Sequence, residues 1–370
     1  MRRRRSQKSG NDGDVPRWDT FVMWEERAYA ARREIAGLAA SGLGVSDLHA
    51  EAIRVIDRDV KTELTCWATL DPESLVISAM TSSEVRVPVE YEPLLANAEL
   101  SPDETHSFAA MARRAELLTR FSDYPRNDRD RSRRYRNVWR PLGVEQEVRV
   151  LFTADGTTWG AAGLVRSGLV FSDREVEYLG AVAPAIGAAT RLAVRSEISN
   201  RLATGQPAIV IVSDSGNIRS ATGSAREWQE RLNALEPGWF VAMMHVMVAG
   251  VRNTHAGVFR ARIRDGRGQW ALLQASALIG GGADAVAVSI DPAAGEQLTT
   301  LLFAAYGLSP RERDVCREVI AGHSTADIAG NLFVSQNTVQ DHLKSAFAKV
   351  GVRSRGELVA RLQPRPAERA

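Results

Sequence analysis

The sequence predicts a multidomain protein: two α+β domains followed by a small all-α unit of four helices containing a helix-turn-helix. Three observations lead there. The chain has 370 residues, too many for one ordinary core, which suggests two or three domains. Strand-like runs joined by turn signals and flanked by helical patterns occur twice before residue 303. Within residues 308–363, four short helical stretches follow one another, each with its own start signal.

Composition narrows the function classes. The chain is 44% hydrophobic and 25% charged, as expected of a soluble globular protein. No apolar run approaches the roughly 20 residues needed to span a bilayer, so no membrane partner is expected. The start, "MRRRRSQKSGNDGD", is basic but has no apolar stretch after it. Residues 1–17 therefore read as a disordered basic arm and not as a secretory signal. Cys66 and Cys316 are the only cysteines, which excludes a disulfide framework and a cysteine-based zinc site by count, and the chain reads as cytoplasmic. A net charge of +2 argues neither for nor against nucleic acid; any DNA-binding charge must be local.

The first α+β region is expected over 18–200. Helical patterns occupy 18–40 and 46–63, the second with Leu48, Ala52, Val55, Ile56 and Val60 on one side. Two apolar runs flank Asp71-Pro72-Glu73-Ser74 and predict a hairpin, and a further helix is expected at roughly 101–120. The arginine-dense segment 126–140 reads as a solvated helix or loop face. A second hairpin turns at Asp155-Gly156, and Ser172 with Glu175 form a capping box opening a long helix. Helices flanking a strand meander, with "RPLG…TWGA…FSDREVEYL", resemble a GAF-type sensory domain, a class that holds small ligands or mediates dimers.

The second region is expected over 201–302, after a boundary marked by Gly205 and Pro207. A strand, an Asp-Ser-Gly turn and a second strand lead to helical material around Trp228. A strand pair turning at Asp265-Gly266, the glycine run "IGGGAD" and the strand "AVAVSIDP" follow. Strand pair, helices and three further strands resemble a PAS-type domain.

Residues 303–370 form the third unit. Ser309 is a helix N-cap with Pro310 at the first position and Glu312 closing a capping box; Gly322 ends that helix. Ser324 starts a short helix, Ser335 starts a third that Gly351 stops, and Ser354 with Glu357 starts a fourth. A short helix, a tight turn and a longer helix is the order of a helix-turn-helix. In the third helix Val339, Leu343, Ala346, Phe347 and Val350 share one sector. The opposite side carries Asn337, Asp341, Lys344, Ser345 and Ala348, with Gln340 at its edge. That is unlike a merely solvated face, which would be dominated by long charged residues.

The motifs "SPRERDV", "DIAGNLFVS", "TVQDHL" and "KVGVRSRGEL" closely resemble the LuxR-type helix-turn-helix domain of bacterial transcription regulators, of the kind found in actinobacteria. The resemblance implies that 335–350 is a recognition helix in the major groove of double-stranded DNA. Asn337, Thr338, Gln340, Asp341 and Lys344 would read bases. Gln340 suits adenine, Lys344 guanine or a phosphate, and Asp341 either accepts from cytosine N4 or orients Lys344. Ser324, Thr325, Ser335, Lys349 and Arg353 would touch the DNA backbone, as would Asn337. Many relatives carry Lys or Arg where Gln340 stands, which implies a different base preference here. Residues 308–370 hold ten Lys or Arg against seven Asp or Glu, so one half-site should bind weakly and a homodimer is expected. The resemblance places that dimer contact on the fourth helix, with Leu358, Val359 and Leu362 as its apolar surface, and implies RNA polymerase as a partner.

Other conspicuous residues read as core. His342 borders the apolar sector, and Cys66, Cys316, Trp139 and Trp159 lie in apolar runs. His245, His255, Met243, Met244 and Met247 raise the thought of haem, but no motif supports it, and no cofactor or metal is expected. P-loop, HExxH, GxSxG and dinucleotide fingerprints are missing, so the chain is not expected to be an enzyme. The reading is a DNA-binding transcriptional regulator whose N-terminal domains sense a small-molecule effector or a partner. Two alternatives stand beside it: an enzyme or cofactor protein with a DNA tether, and a regulator whose sensory folds are ligand-independent dimer scaffolds.

Overall fold

A computed structural model describes residues 17–200, 205–278 and 285–363. The basic arm up to residue 16 and the glycine run 279–284 lie outside the described residues. The first region begins with helices α1 (Arg17–Ala40) and α2 (Val45–Asp57), then strands β1 (Leu64–Leu70) and β2 (Ile77–Ser82). Helices α3 (Glu92–Leu100) and α4 (Phe108–Arg113), strand β3 (Leu118–Arg120) and helix α5 (Arg126–Arg131) follow. Strands β4 (Gln146–Ala154) and β5 (Thr157–Arg166) and the long helix α6 (Asp173–Asn200) complete it. The second region runs β6 (Ala208–Ser213), β7 (Ile218–Ala221), α7 (Ala225–Asn233), α8 (Trp239–Arg252), β8 (Val258–Arg264), β9 (Trp270–Ala277) and β10 (Ala285–Pro292). Helix α9 (Glu296–Ala305) leads into α10 (Pro310–Ile320), α11 (Thr325–Asn331), α12 (Gln336–Val350) and α13 (Arg355–Leu362).

Each α+β region holds one antiparallel five-stranded sheet, and the two share a strand order, β2-β1-β5-β4-β3 and β7-β6-β10-β9-β8. Both hairpin signals of the first region fall in turns, and the Ser172–Glu175 box closes through paired hydrogen bonds at the start of α6. Side chains alternate across β4. Val148, Val150 and Phe152 join the core beneath α6, while Glu147, Arg149 and Leu151 face the opposite way. Helix α6 sits so close to β4 that a Cβ on Gly187 would fall 2.5 Å from the Thr153 carbonyl oxygen. That site needs glycine.

Three expectations are corrected. The helix expected over 46–63 ends at Asp57, and Val60 is buried in the turn that follows. The helix expected over roughly 101–120 is cut down to the six residues of α4: the chain reverses at Ala115 (φ 54°), and 118–120 pairs with β4. The arginine segment is not uniformly solvated. Arg126 and Arg129 are exposed or half-exposed, but Arg134 is 1% exposed and paired with Glu104 at 3.2 Å and Glu147 at 2.9 Å.

The regions are joined by α3 against α8 and by buried ion clusters. Arg262 of β8 pairs with Asp71 in the β1–β2 turn and donates to Thr300 Oγ1 and the Gln297 carbonyl of α9. Arg264 meets Glu197 of α6 at 3.3 Å and Ser46 of α2 at 3.0 Å. Met243, Met244 and Met247 are wholly buried in the second core, whereas His245, read as core with them, is half-buried and His255 is exposed.

His49 adds a pH dependence. Its ring lies against Trp67 and Phe152, with Nε2 3.0 Å from Thr190 Oγ1. Burial, helped by Arg264, holds its pKa down to about 3. The unfolded chain takes up a proton below about 6.5 and the native chain does not, so stability falls as pH drops from about 6.5 towards 3. His49→Gln is expected to flatten that part of the curve of urea midpoint against pH.

Candidate nucleic-acid interface

Local chemistry fixes the start of every helix in the C-terminal unit. The Ser309 hydroxyl accepts from the Glu312 amide at 3.3 Å, and the Glu312 carboxylate accepts from the Ser309 amide at 2.6 Å. Ser324 and Asp327 form the same reciprocal pair at α11. Ser335 accepts from the Thr338 amide at 3.1 Å, and Ser354 from the Glu357 amide at 3.2 Å. Each cap satisfies amides that a helix start leaves open, for about 1 kcal/mol apiece. Gly351 ends α12 in the left-handed region at φ 75°, and the α11–α12 turn reverses at Phe333, φ 55°, whose ring is 93% exposed.

The core follows the expected apolar sector. Val339, Leu343, Ala346 and Val350 of α12 are buried with Val315, Cys316 and Val319 of α10 and Ile328 of α11. Cys316 is core, and burial, with the nearby Glu312 carboxylate, pushes its thiol up to about 12. Glu312 does more than cap. It also accepts from Ser345 Oγ at 2.6 Å and Lys349 Nζ at 2.7 Å, which locks α12 onto α10. Burial alone would raise its pKa; Lys349, Ser345 and the Ser309 amide bring it down to about 2.

The structure sorts the expected contact residues. Asn337, Gln340, Asp341, Lys344 and Ala348 are all exposed on α12. Thr338 is half-buried, its hydroxyl 2.9 Å from Ser335 Oγ. Ser345, read as part of the polar face, turns instead to Glu312. Lys349 is occupied by that carboxylate and by the Gly307 carbonyl at 3.1 Å, so a phosphate must compete for it. Ser324 and Ser335 spend their hydroxyls on caps but remain exposed, and Thr325 Oγ1 accepts from Arg355 Nη2 at 2.7 Å. Among the described residues, the Lys344 and Arg353 side chains are exposed without an ion-pair partner. Two of the expected dimer residues are corrected. Leu358 and Leu362 are 0% exposed inside the chain's own core, and only Val359 is half-buried. The Leu362 carbonyl accepts from Thr299 Oγ1 of α9 at 3.0 Å. Neither the Glu312 anchor nor the Arg355 bridge is visible in the sequence, because their partners lie some 30 residues away.

Residues 307–362 match the family described as bacterial regulatory proteins, luxR family. The spore germination protein GerE of Bacillus subtilis is 38% identical over 55 residues, which cover 15% of this chain and 74% of that protein. A Mycobacterium bovis protein named as an HTH-type transcriptional regulator is 56% identical over 52 residues, 14% of this chain. The match spans only 6% of that mycobacterial relative's length. A solved structure of the Vibrio cholerae VqmA dimer, titled as a LuxR-type receptor, aligns over 42% of this chain and 81% of its own at 12% identity and a TM-score of 0.20. Escherichia coli SdiA aligns over 90% of this chain and 95% of its own at 11% identity and a TM-score of 0.27. At such scores neither bears on the arrangement of the N-terminal regions. Among the described residues no helix is long and apolar enough to cross a membrane.

Proposed function

The chain belongs to the luxR family of bacterial regulatory proteins, and we propose that it is an effector-controlled transcriptional regulator that reads DNA as a homodimer. In this reading 18–200 is a GAF-like domain, 201–302 a PAS-like domain and 303–370 the reader. The shared strand order of the two sheets supports treating the first two as related sensory folds. A small molecule, or a partner, favours one arrangement of the sensory regions and so shifts the population towards a DNA-competent dimer. The protein works in the cytoplasm with RNA polymerase, and away from membranes.

One observation carries the DNA-reading part: a capped, core-locked α12 presents Asn337, Gln340, Asp341 and Lys344 together, with no ion-pair partner among the described residues claiming Lys344. Such a rigid polar face suits bidentate hydrogen bonding to base edges. Selection from a random duplex pool at fixed, near-physiological salt tests it, with a paired, roughly symmetric site as the expected product. Gln340→Ala is expected to relax base preference while salt-dependent binding persists, and Lys344→Ala to weaken binding about tenfold. A Gln340→Ala protein that selects the same site as its parent would remove Gln340 from base reading. An unaltered Lys344→Ala affinity would remove the lysine from the interface.

A further inference from the structure

Between the two α+β regions lies a cavity of ≈ 160 Å³. Its size is close to the about 150 Å³ of an engineered cavity that holds benzene. The walls are mostly apolar: Ile77, Met80, Leu95 and Trp139 from the first region, Trp239 and Phe259 from the second. Burying apolar surface there would favour any ligand of that size.

The polar groups on the wall single out a charge. Glu99 accepts from Arg149 Nη2 at 2.6 Å and from the Phe108 amide at 2.9 Å. Glu147 accepts from Arg134 Nε at 3.0 Å, and the Arg149 guanidinium lies 3.6 Å over the Phe108 ring. These groups pair with one another as ions, although Arg134 Nη1 and Nη2 and Arg149 Nε have no hydrogen-bond acceptor among the described residues. Glu92, the first residue of α3, is different: it lines the cavity and is 7% exposed, its amide donates to the Val89 carbonyl, and its carboxylate has no hydrogen-bond or ion-pair partner among the described residues. A buried carboxyl without a partner is costly and calls for an explanation. Around it, Glu236 adds a second buried carboxylate, bridged at 3.1 Å to Arg86. Five carboxylates, those of Glu92, Glu99, Glu104, Glu147 and Glu236, stand against four arginines, Arg86, Arg113, Arg134 and Arg149, an excess of one. The site is short of positive charge. Burial and the Glu236 carboxylate push Glu92 up to about 7, against the opposing pull of the Arg86 guanidinium.

We propose that this cavity binds a small, mainly apolar molecule bearing a protonated amine, with the Glu92 carboxylate as its counter-charge. The inference rests on the sensory reading above and gives it a site and a ligand class. The ammonium supplies the donor and the charge that Glu92 lacks, while the apolar body fills the space between the regions. Because Trp239 and Phe259 belong to the second region and α3 packs on α8, the occupant touches both sides of the junction. An anion meets the surplus carboxylates, and a neutral isostere leaves the charge unanswered.

Calorimetric titration of the full chain without DNA tests this, using benzylamine, benzyl alcohol and benzoate as cationic, neutral and anionic probes of one size. Benzylamine is expected to bind at least about tenfold tighter than benzyl alcohol, the range of a charge-assisted hydrogen bond, and benzoate not to bind. Glu92→Gln keeps the shape, relieves repulsion from Glu236, and is expected to bring the amine and the alcohol to equal affinity. Ala96→Phe, which fills the cavity, is expected to remove both. Equal affinities in the parent protein, an amine preference that survives Glu92→Gln, or no binding of any probe would overturn the proposal. DNA selection is scored separately, so loss of the ligand site leaves the reader's function standing, and the converse also holds.

Discussion

Arg134→Met is expected to lower the free energy of unfolding by about 3–5 kcal/mol, the cost of breaking a buried ion pair from one side. The side chain is 1% exposed and held between Glu104 at 3.2 Å and Glu147 at 2.9 Å. Glu104 also accepts from Ser132 Oγ, and Glu147 lies 3.5 Å from Arg149. Methionine replaces much of the stem volume but leaves two carboxylates inside the protein with one arginine between them. Either they stay charged without a counter-charge, or they take up protons at neutral pH. Both routes cost stability. The first unfolding transition of the full chain in urea measures the loss, since a chain with several cores need not unfold in one step. Removing the carboxylates as well, as Arg134→Met with Glu104→Gln and Glu147→Gln, is expected to recover most of it, because an apolar replacement of a whole cluster is often neutral. A single-variant loss below about 1 kcal/mol would mean that water reaches the cluster and screens it.

The same cluster shows where sequence reasoning fails. In "EVRVLF" the alternation of Glu147 and Arg149 with Val148 and Val150 reads as one wet face and one dry face. Here the charged side faces Glu99, Arg134 and the cavity, because α3, α4 and the arginine segment of the same region cover that side of the sheet. Alternation reports which residues share a face and cannot report what lies against it. Local signals fared better. Serine caps, glycine stops and the Asp-Pro and Asp-Gly turns are decided by residues within four positions of one another, and these signals match the structure. The helix expected over 101–120 failed for the opposite reason: 118–120 is a strand because β4 lies beside it, a partner about 30 residues away. In the reader, α12's apolar sector was legible from its period. The conversion of Ser345 and Lys349 from DNA-facing groups to partners of Glu312 was not, because it depends on how α10 and α12 cross.

Leu358→Glu is expected to unfold the reader and not merely to separate two copies of it. A leucine on a helix of apolar period is equally at home in its own core or on a partner, and the sequence does not choose. Here Leu358 and Leu362 are 0% exposed among the residues of α10, α12 and α9. Truncating a buried leucine costs about 2–5 kcal/mol, and placing a carboxylate there adds its desolvation. The expected loss is therefore upwards of about 4 kcal/mol, a large share of any small domain's stability. Since Thr299 holds the Leu362 carbonyl, the damage reaches α9 and the link to the N-terminal regions. Circular dichroism and DNA affinity should fall together, on single half-sites as well as on paired ones. Val359→Glu separates the two roles, because Val359 is half-buried at the edge of α13 next to exposed Ala360 and Arg361. It is expected to keep the helical signal and to weaken only binding to the paired site, if that edge is where two readers meet. A folded Leu358→Glu protein with intact half-site binding would reverse the assignment and return Leu358 to the surface between copies.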